Sequence, residues 1–218
     1  MSNTRAAHRR KDEDKPKGTW ILIAAAVAMI AVAVVVVVVL TGGDDDNTVS
    51  STDSALQQFQ PVDAQGELPV LDGAADDAGQ SAAPVVQAHN FVGEPIALPA
   101  AGQPTILAFG AHWCPHCQST FPVIVDWLDG GNAEGVSAVA VATGTKEDAG
   151  NYPPSDWLTD IGWPGSMVAD DENSTFASAY GLTGYPMLVF VDADGVVQAR
   201  LGGDITPDDL DAAVATIT

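Results

Sequence analysis

The chain has few cysteines and few basic residues, and each scarcity excludes a class of protein. Its 218 residues include two cysteines, Cys114 and Cys117. Two cysteines cannot build a scaffold of several disulfides, and they cannot supply a four-cysteine metal site. The sequence has eight lysine and arginine residues and 29 acidic residues, which gives a formal net charge of −21. A surface of that charge repels nucleic acid and anionic lipid, so neither is expected as a partner.

The basic residues that are present lie mostly ahead of a long apolar segment. Residues 20–40 carry no charge, are almost wholly apolar and number 21, against the roughly 20 that a membrane-spanning helix needs. Six of the eight basic residues precede this segment, and Asp44, Asp45 and Asp46 follow it. The positive-inside rule predicts a cytoplasmic tail over residues 1–19, a transmembrane signal-anchor over 20–40 and an extracytoplasmic remainder.

A cleaved signal peptide is the alternative interpretation of residues 20–40. The apolar region of such a peptide spans about 7–15 residues and ends at a small-residue cleavage site. Here the run is longer, and its Ala31-Val32-Ala33 sequence lies inside the run rather than after it. A retained anchor is therefore favoured.

Composition divides the remainder into a linker and one domain. Residues 41–83 are acidic, rich in small and polar residues and poor in large apolar ones, which predicts a flexible linker. Two short apolar patches within it, residues 56–59 and 68–71, are candidates for docking on the domain. Residues 84–218 are enough for one hydrophobic core and predict a single globular domain.

Apolar runs and turn signals in that domain alternate between strand and helix. Asp194-Gly195 is typical of a hairpin turn, and Thr206 followed by Pro207 is typical of a helix start. The predicted strands are residues 105–110, 136–142, 187–191 and 196–201, and the predicted helices are residues 115–128, 157–161, 173–180 and a last one from 207. This order predicts an α/β sheet of mixed strand directions.

The two cysteines fall where that pattern changes from strand to helix. A helix N-terminus offers unpaired N–H groups and a partial positive charge, so we expect a thiolate and a nucleophile at Cys114. Cys117, one turn later, would resolve the mixed disulfide. His116 is expected to place a further donor, and when protonated a positive charge, beside the Cys114 sulfur. Stabilising the thiolate in this way makes the disulfide a stronger oxidant.

A structural disulfide and a metal site are the alternatives to redox chemistry for this segment. A disulfide between residues three apart closes too small a loop to stabilise the fold much. His112, Cys114, His116 and Cys117 could be imagined as four metal ligands, but a strand-to-helix turn aims them in different directions. No metal and no cofactor is therefore expected.

Four segments together carry a family resemblance. They are residues 109–117 (FGAHWCPHC), Pro122, residues 181–186 (GLTGYP) and residues 191–195 (VDADG). They resemble the active-site turn, the kinking proline, the cis-proline segment and the hairpin of the thioredoxin superfamily. The overall pattern is similar to membrane-anchored bacterial thiol-disulfide oxidoreductases of the TlpA/ResA type. The resemblance implies a thioredoxin-like fold, a central mixed sheet flanked by helices, with an inserted helix and strand over residues 143–171.

The resemblance also implies roles for individual residues. Pro186 should follow a cis peptide bond and lie beside the cysteines, which would leave the Tyr185 backbone free to pair with an extended substrate segment. The implied catalytic residues are Cys114, Cys117, His116 and Pro186, and the implied substrate-binding residues are Trp113, Pro115 and Tyr185.

The direction of the reaction stays open in the sequence. Ala108 and Thr120 stand where relatives have acids associated with proton handling, and Pro115-His116 is the dipeptide of the oxidase DsbA. The scaffold thus resembles the reductive branch, whereas the active site resembles an oxidising one.

The sequence therefore predicts a membrane-tethered, extracytoplasmic thiol-disulfide oxidoreductase. Its expected partners are cysteine-containing exported proteins and a membrane redox protein that recharges the disulfide. The alternative is a redox-regulated or metal-handling module that holds apocytochrome or copper-site cysteines without turnover.

Overall fold

The computed structural model describes residues 56–218. The predicted cytoplasmic tail, the predicted membrane span over 20–40 and the first part of the predicted linker lie outside the described residues. Within residues 56–218, no helix combines the length and the apolar character needed to cross a membrane.

A mixed sheet forms the centre of the described part of the chain. Its strands are β1 Asp63–Gln65, β2 Ala75–Asp76, β3 Val85–His89, β4 Pro95–Leu98, β5 Thr105–Gly110, β6 Ser137–Ala142, β7 Ser166–Ala169, β8 Met187–Val191 and β9 Val197–Gly202. They are ordered β1-β3-β7-β6-β5-β8-β9-β2, with β4 also paired to β3. Strand β5 is parallel to β6 and antiparallel to β8. Every residue of β5 and β8 is buried, so these two strands form the centre of the hydrophobic core.

Helices cover the sheet, and the cores on its two faces are distinct. The helices are α1 Pro115–Asp129, α2 Pro154–Asp160, α3 Thr175–Ala179 and α4 Pro207–Val214. Neighbouring residues of β5 point to opposite faces, as in any strand. Ile106 and Ala108 join the core that contains α1, α2 and α4, whereas Leu107 and Phe109 join the core that contains α3.

Most of the predicted elements are confirmed. Strands 105–110 and 187–191 have the predicted bounds, and the predicted helix at 115–128 ends one residue later, at Asp129. Two short helices differ. The predicted helix at 173–180 begins only at Thr175, because Ser174 has a left-handed backbone with φ 54°. The predicted helix at 157–161 instead starts at Pro154, a residue type suited to a first helical turn.

Residues 56–83, which we call the N-terminal strap, pack against the domain, although the sequence predicts them as part of a flexible linker. Their strand β1 pairs with β3, and their strand β2 pairs with β9 at the other side of the sheet. Between these strands Leu68 and Leu71 are buried in the second core. Buried apolar side chains and backbone hydrogen bonds thus help to fix a stretch whose composition is that of a linker.

Backbone contacts fasten the middle of the strap to the end of α3. The Leu68 amide donates to the Ala179 carbonyl at 2.8 Å, and the Leu71 amide donates to the Gly181 carbonyl at 2.9 Å. Gly181 has φ +74°, and a Cβ atom there would collide with the Pro69 carbonyl. Only glycine therefore lets the strap pass this closely.

A buried arginine completes the attachment of the strap. The Arg200 side chain is 0% exposed and donates from Nε and Nη2 to the two carboxylate oxygens of Asp76, at 2.7 and 2.6 Å. Its Nη1 donates to the carbonyls of Pro69 at 2.7 Å and Tyr180 at 3.1 Å. Burial alone would raise the pKa of Asp76. Hydrogen bonds from Arg200 and from the Ala78 amide outweigh burial and hold that pKa below its ordinary 3.8.

We expect the Asp76→Asn substitution to lower the free energy of unfolding by about 2–3 kcal/mol, because it leaves the buried guanidinium without its counter-charge. Urea unfolding at neutral pH measures the loss. The matched control is Asp72→Asn, an exposed acid in the same strap, which should change stability by less than about 0.5 kcal/mol.

The Asp76–Arg200 ion pair should also make the free energy of unfolding depend on pH. The pKa of Asp76 is lower in the folded protein than in the unfolded chain. The ionised carboxylate therefore stabilises the fold fully above about pH 4, and this stabilisation is lost as the pH falls through the folded-state pKa. The stability gap between the original chain and Asp76→Asn should narrow accordingly in acid. Equal stability of the Asp76 and Asp72 variants at neutral pH would contradict the assignment.

Candidate active site

Cys114 lies at the start of α1, in the turn that follows β5. It is the N-cap residue of the helix, with extended backbone angles φ −77° and ψ 123°, and Pro115 occupies the first turn. Its amide donates to the Ala111 carbonyl at 3.0 Å. Cys114 is 7% exposed, whereas Cys117 is 0% exposed, and both thiols are free. Both cysteines are thus buried, but Cys114 keeps a small exposed fraction whereas Cys117 is wholly enclosed.

Burial acts strongly on the thiol of Cys117. Burial raises the pKa of the Cys117 thiol far above its ordinary value, and the neighbouring Cys114 adds to that rise. Cys117 is therefore a protonated thiol at neutral pH. Cys114 is the better placed of the two to act as a nucleophile, because it is the N-cap residue at the positive end of the α1 dipole.

The segment before β8 lies against the Cys114 sulfur. The Cys114 thiol donates to the Tyr185 carbonyl at a Sγ–O distance of 3.8 Å, across 71 residues of sequence. The Tyr185–Pro186 peptide is cis. The segment that contains Pro186 therefore contacts Cys114, as predicted. The catalytic role of Pro186 stays a prediction.

Trp113 is held between the Tyr185 segment and the loop that follows β6. Its ring packs edge-on against Tyr185, with the centroids 5.8 Å apart. Its Nε1 donates to the Gly144 carbonyl at 2.7 Å. The Lys146 ammonium stands 3.8 Å from the Trp113 ring centroid, in cation–π contact. Lys146 is one of two lysine or arginine residues in 56–218, so a rare positive charge lies next to the active-site turn.

His112 joins that loop to the active-site turn, a role that the sequence did not predict. The side chain is buried, with Nδ1 2.8 Å from the Gly150 carbonyl and Nε2 accepting the Lys146 amide at 3.2 Å. Because Nε2 accepts, Nδ1 carries the proton and donates, so the ring is neutral. Burial lowers the pKa of His112, and the Gly150 hydrogen bond offsets only part of that effect. The signal in the sequence was a histidine directly before Trp113 in an otherwise apolar turn.

The structure corrects the expected contact of His116. Its side chain is 65% exposed, and its Nδ1 lies 3.3 Å from Asp204 Oδ1 rather than on the Cys114 sulfur. Asp204 is 88 residues away in sequence, so nothing local indicated this competing acceptor. Any effect of His116 on Cys114 must therefore act through space as charge.

The four imagined metal ligands do not converge on one point. His112 uses both ring nitrogens within its loop, and His116 faces Asp204. Across the described residues 56–218, no group of three histidine, cysteine or acidic side chains is placed to hold a metal ion.

Two positions that lack an acid in this sequence are buried. Ala108 and Thr120 are both buried, at 0% and 5% exposure. Asp170 is a buried acid that the sequence analysis did not single out, and burial raises its pKa. Its carboxylate accepts the amides of Phe176 at 2.9 Å and Ala177 at 3.1 Å, so it serves the start of α3.

Comparison with known proteins adds independent findings. Residues 94–218 match the family described as a thioredoxin-like domain. The thiol:disulfide interchange protein DsbE of Haemophilus influenzae is 31% identical over 106 residues, which cover 48% of this chain and 53% of that protein. The methylamine utilization protein MauD of Paracoccus denitrificans is 29% identical over 122 residues, covering 55% and 56% respectively. The chain thus spans about half the length of the curated relatives it matches.

Solved structures show the same fold. A structure of MTB DsbF, in mixed oxidized and reduced forms, has a TM-score of 0.52 and 25% identity, and the match covers 61% of this chain and 94% of that one. A DsbF homologue from Corynebacterium diphtheriae has a TM-score of 0.55 at 14% identity, covering 69% and 99%, and supports the fold alone.

We expect iodoacetamide at pH 7 to alkylate Cys114 at least about tenfold faster than Cys117, because burial keeps Cys117 protonated and out of contact with the reagent. Mass spectrometry of the single-cysteine variants Cys114→Ser and Cys117→Ser gives the two rates separately. In concentrated urea the two rates should converge, which serves as the control. Faster alkylation of Cys117 in the folded protein would reverse the assignment of nucleophile and resolving cysteine.

Proposed function

The chain belongs to the thioredoxin-like domain family, and we propose that it is a thiol-disulfide oxidoreductase acting on cysteines of exported proteins. The observation that carries the proposal is the placement of Cys114 at the N-terminus of α1, against the Tyr185 carbonyl, with a buried thiol at Cys117 behind it. Relatives named as thiol:disulfide interchange proteins support it.

The reduction of a substrate disulfide proceeds in two exchanges. The Cys114 thiolate attacks one substrate sulfur, the substrate S–S bond breaks, and the other substrate sulfur leaves as a thiolate. Cys117 then gives up its proton and attacks the Cys114 sulfur, which forms the Cys114–Cys117 disulfide and releases the second substrate thiolate. Two electrons pass to the substrate, and its thiolates take up the protons. The reverse sequence oxidises a substrate dithiol.

The residues around Cys114 provide a surface for the substrate chain. Trp113 and Pro115 flank the sulfur along the sequence, and Tyr185 faces it from the segment before β8. An extended substrate segment would pair with the Tyr185 backbone as an added strand. Its cysteine would then lie opposite Cys114.

The direction of transfer depends on the reduction potential and on the partner that recharges the pair. A reduction potential of about −120 mV for the Cys114–Cys117 pair would favour an oxidase, and one of about −270 mV would favour a reductase. The position of His116 against Asp204 removes the direct hydrogen bond expected to make the disulfide oxidising. The remaining oxidising influences are the α1 dipole and any charge on His116.

The two cysteine variants test the proposed chemistry. Incubated with glutathione disulfide, the Cys117→Ser variant should accumulate a mixed disulfide at Cys114, because no resolving thiol releases it. The Cys114→Ser variant should form little adduct, since its remaining thiol is buried and protonated. The original chain should release two equivalents of glutathione per protein. Failure of the original chain to react would overturn the proposal, and binding without release would favour a module that holds cysteines without turnover.

We further propose that residues 20–40 tether the domain to the membrane on its extracytoplasmic side, where a membrane redox partner recharges the disulfide. The charge asymmetry around residues 20–40 supports this placement. Protease added to intact spheroplasts should remove the domain and leave a short membrane-bound stub. Recovery of the domain from the medium with an N-terminus beyond Leu40 would contradict the tether and favour a cleaved signal.

A further inference from the structure

A groove runs beside the active-site turn, and the strap supplies one of its walls. We call it the strap groove. Its lining comprises Leu71, Gly73 and Ala74 from the strap, His116 from α1, residues 183–186 from the segment before β8, and residues 202–204 from the end of β9. Tyr185 both lines the groove and accepts a hydrogen bond from the Cys114 thiol, so the groove lies next to the reactive sulfur.

The strap wall is fixed at both ends rather than free to close. The Thr183 hydroxyl donates to the Leu71 carbonyl at 3.1 Å, and the Gly202 amide donates to the Ala74 carbonyl at 2.7 Å. Just outside these contacts, Arg200 holds Pro69 and Asp76. The groove is therefore present before any substrate arrives, and binding does not require the strap to become ordered.

Glycines make the groove suitable for a polypeptide backbone. Gly73, Gly184 and Gly203 have no heavy atom within 4 Å of where a Cβ would stand, so they face open space. Leu71 and Pro186 supply apolar surface between them. An extended chain can therefore approach closely, with its main chain against the glycines.

The charge of the groove points to a basic occupant. Its lining residues with an ionisable side chain are His116, Tyr185 and Asp204, and Asp204 is the one acid among them. The Asp204 side chain is 89% exposed, with Oδ1 3.3 Å from His116 Nδ1. Asp72, also exposed, adjoins the lining. Of the two lysine or arginine residues in 56–218, Arg200 is buried against Asp76 and Lys146 stands over Trp113, so neither neutralises the groove.

We propose that the strap groove binds the extended segment of substrate polypeptide next to the reacting cysteine, and that it favours segments with a lysine or arginine close to that cysteine. The proposal rests on the proposed oxidoreductase function and adds the substrate chemistry. Ala74 and the neighbouring strap residues shape the groove, and Asp204 supplies the charge that selects the basic side chain.

Synthetic peptides test the charge preference on the unmodified protein. Three symmetrical peptide disulfides, with lysine, serine or glutamate on both sides of the cysteine, are reduced by the dithiol form of the protein. Each rate is divided by the rate with dithiothreitol, because flanking charge also changes the intrinsic reactivity of a disulfide. The lysine peptide should react fastest and the glutamate peptide slowest.

Two pairs of matched variants locate the effect. Asp204→Asn should reduce the lysine-to-glutamate ratio by about two- to fivefold. Asp194→Asn removes the same charge at the hairpin on the opposite end of β9 and should leave the ratio unchanged. Ala74→Trp fills the groove and should slow all three peptides by about fivefold, while the small hydroxyethyl disulfide reacts as before. Ala75→Trp, also exposed but outside the lining, should slow neither.

The outcomes separate this inference from the function on which it rests. If Ala74→Trp slows peptides no more than Ala75→Trp, or if Asp204→Asn and Asp194→Asn leave the same ratio, the strap groove does not bind the substrate segment. The Asp204 comparison and the peptide series keep the test valid even if Ala74→Trp fails to fold. If the original chain does not reduce hydroxyethyl disulfide at all, the oxidoreductase function itself is wrong.

Discussion

The buried guanidinium of Arg200 is the interaction on which much of the domain depends. It gathers the Asp76 carboxylate and the carbonyls of Pro69 and Tyr180 around one charge in an apolar interior. These partners belong to the strap and to the end of α3, whereas Arg200 itself lies in β9. A charge this deeply buried must be paired, so the strap, α3 and the sheet edge are fixed to one another. The strap's contribution to the second core and one wall of the groove follow from that attachment.

The active-site turn is organised by burial rather than by acidic neighbours. Full burial keeps Cys117 protonated, and the start of α1 leaves Cys114 able to react. His112 stays neutral because both of its ring nitrogens are engaged with the loop after β6. That loop also carries the groups that hold Trp113. Besides burial, hydrogen bonds to backbone groups therefore hold His112 and Trp113 beside the nucleophile.

The elements that could be predicted were those with local signals. Apolar runs located β5 and β8, Asp194-Gly195 located the hairpin, and Thr206 located the start of α4. The strap was predicted only in part: residues 68–71 were a candidate for docking, and Leu68 and Leu71 are buried. Its path along the sheet could not be predicted, because its composition is that of a linker and its partner Arg200 lies 124 residues from Asp76. The predicted contact of the His116 side chain with the Cys114 sulfur was wrong for the same reason, since its actual partner Asp204 is remote in sequence. The contact of Cys114 with the Tyr185 segment is equally remote but was available from the family resemblance.

The path of the strap also decides where the autonomous folding unit begins. A chain cut at residue 84, where composition places the domain boundary, would lose β1 and β2 and expose the side chains that Leu68 and Leu71 cover. It would also leave the guanidinium of Arg200 in an apolar interior without a counter-ion. The family match begins only at residue 94. The sequence shared with the family therefore starts later in the chain than the packed structure, whose first strand begins at Asp63. The strap and β3 thus lie outside the region that the family shares, although both belong to the same sheet as the active-site strand β5.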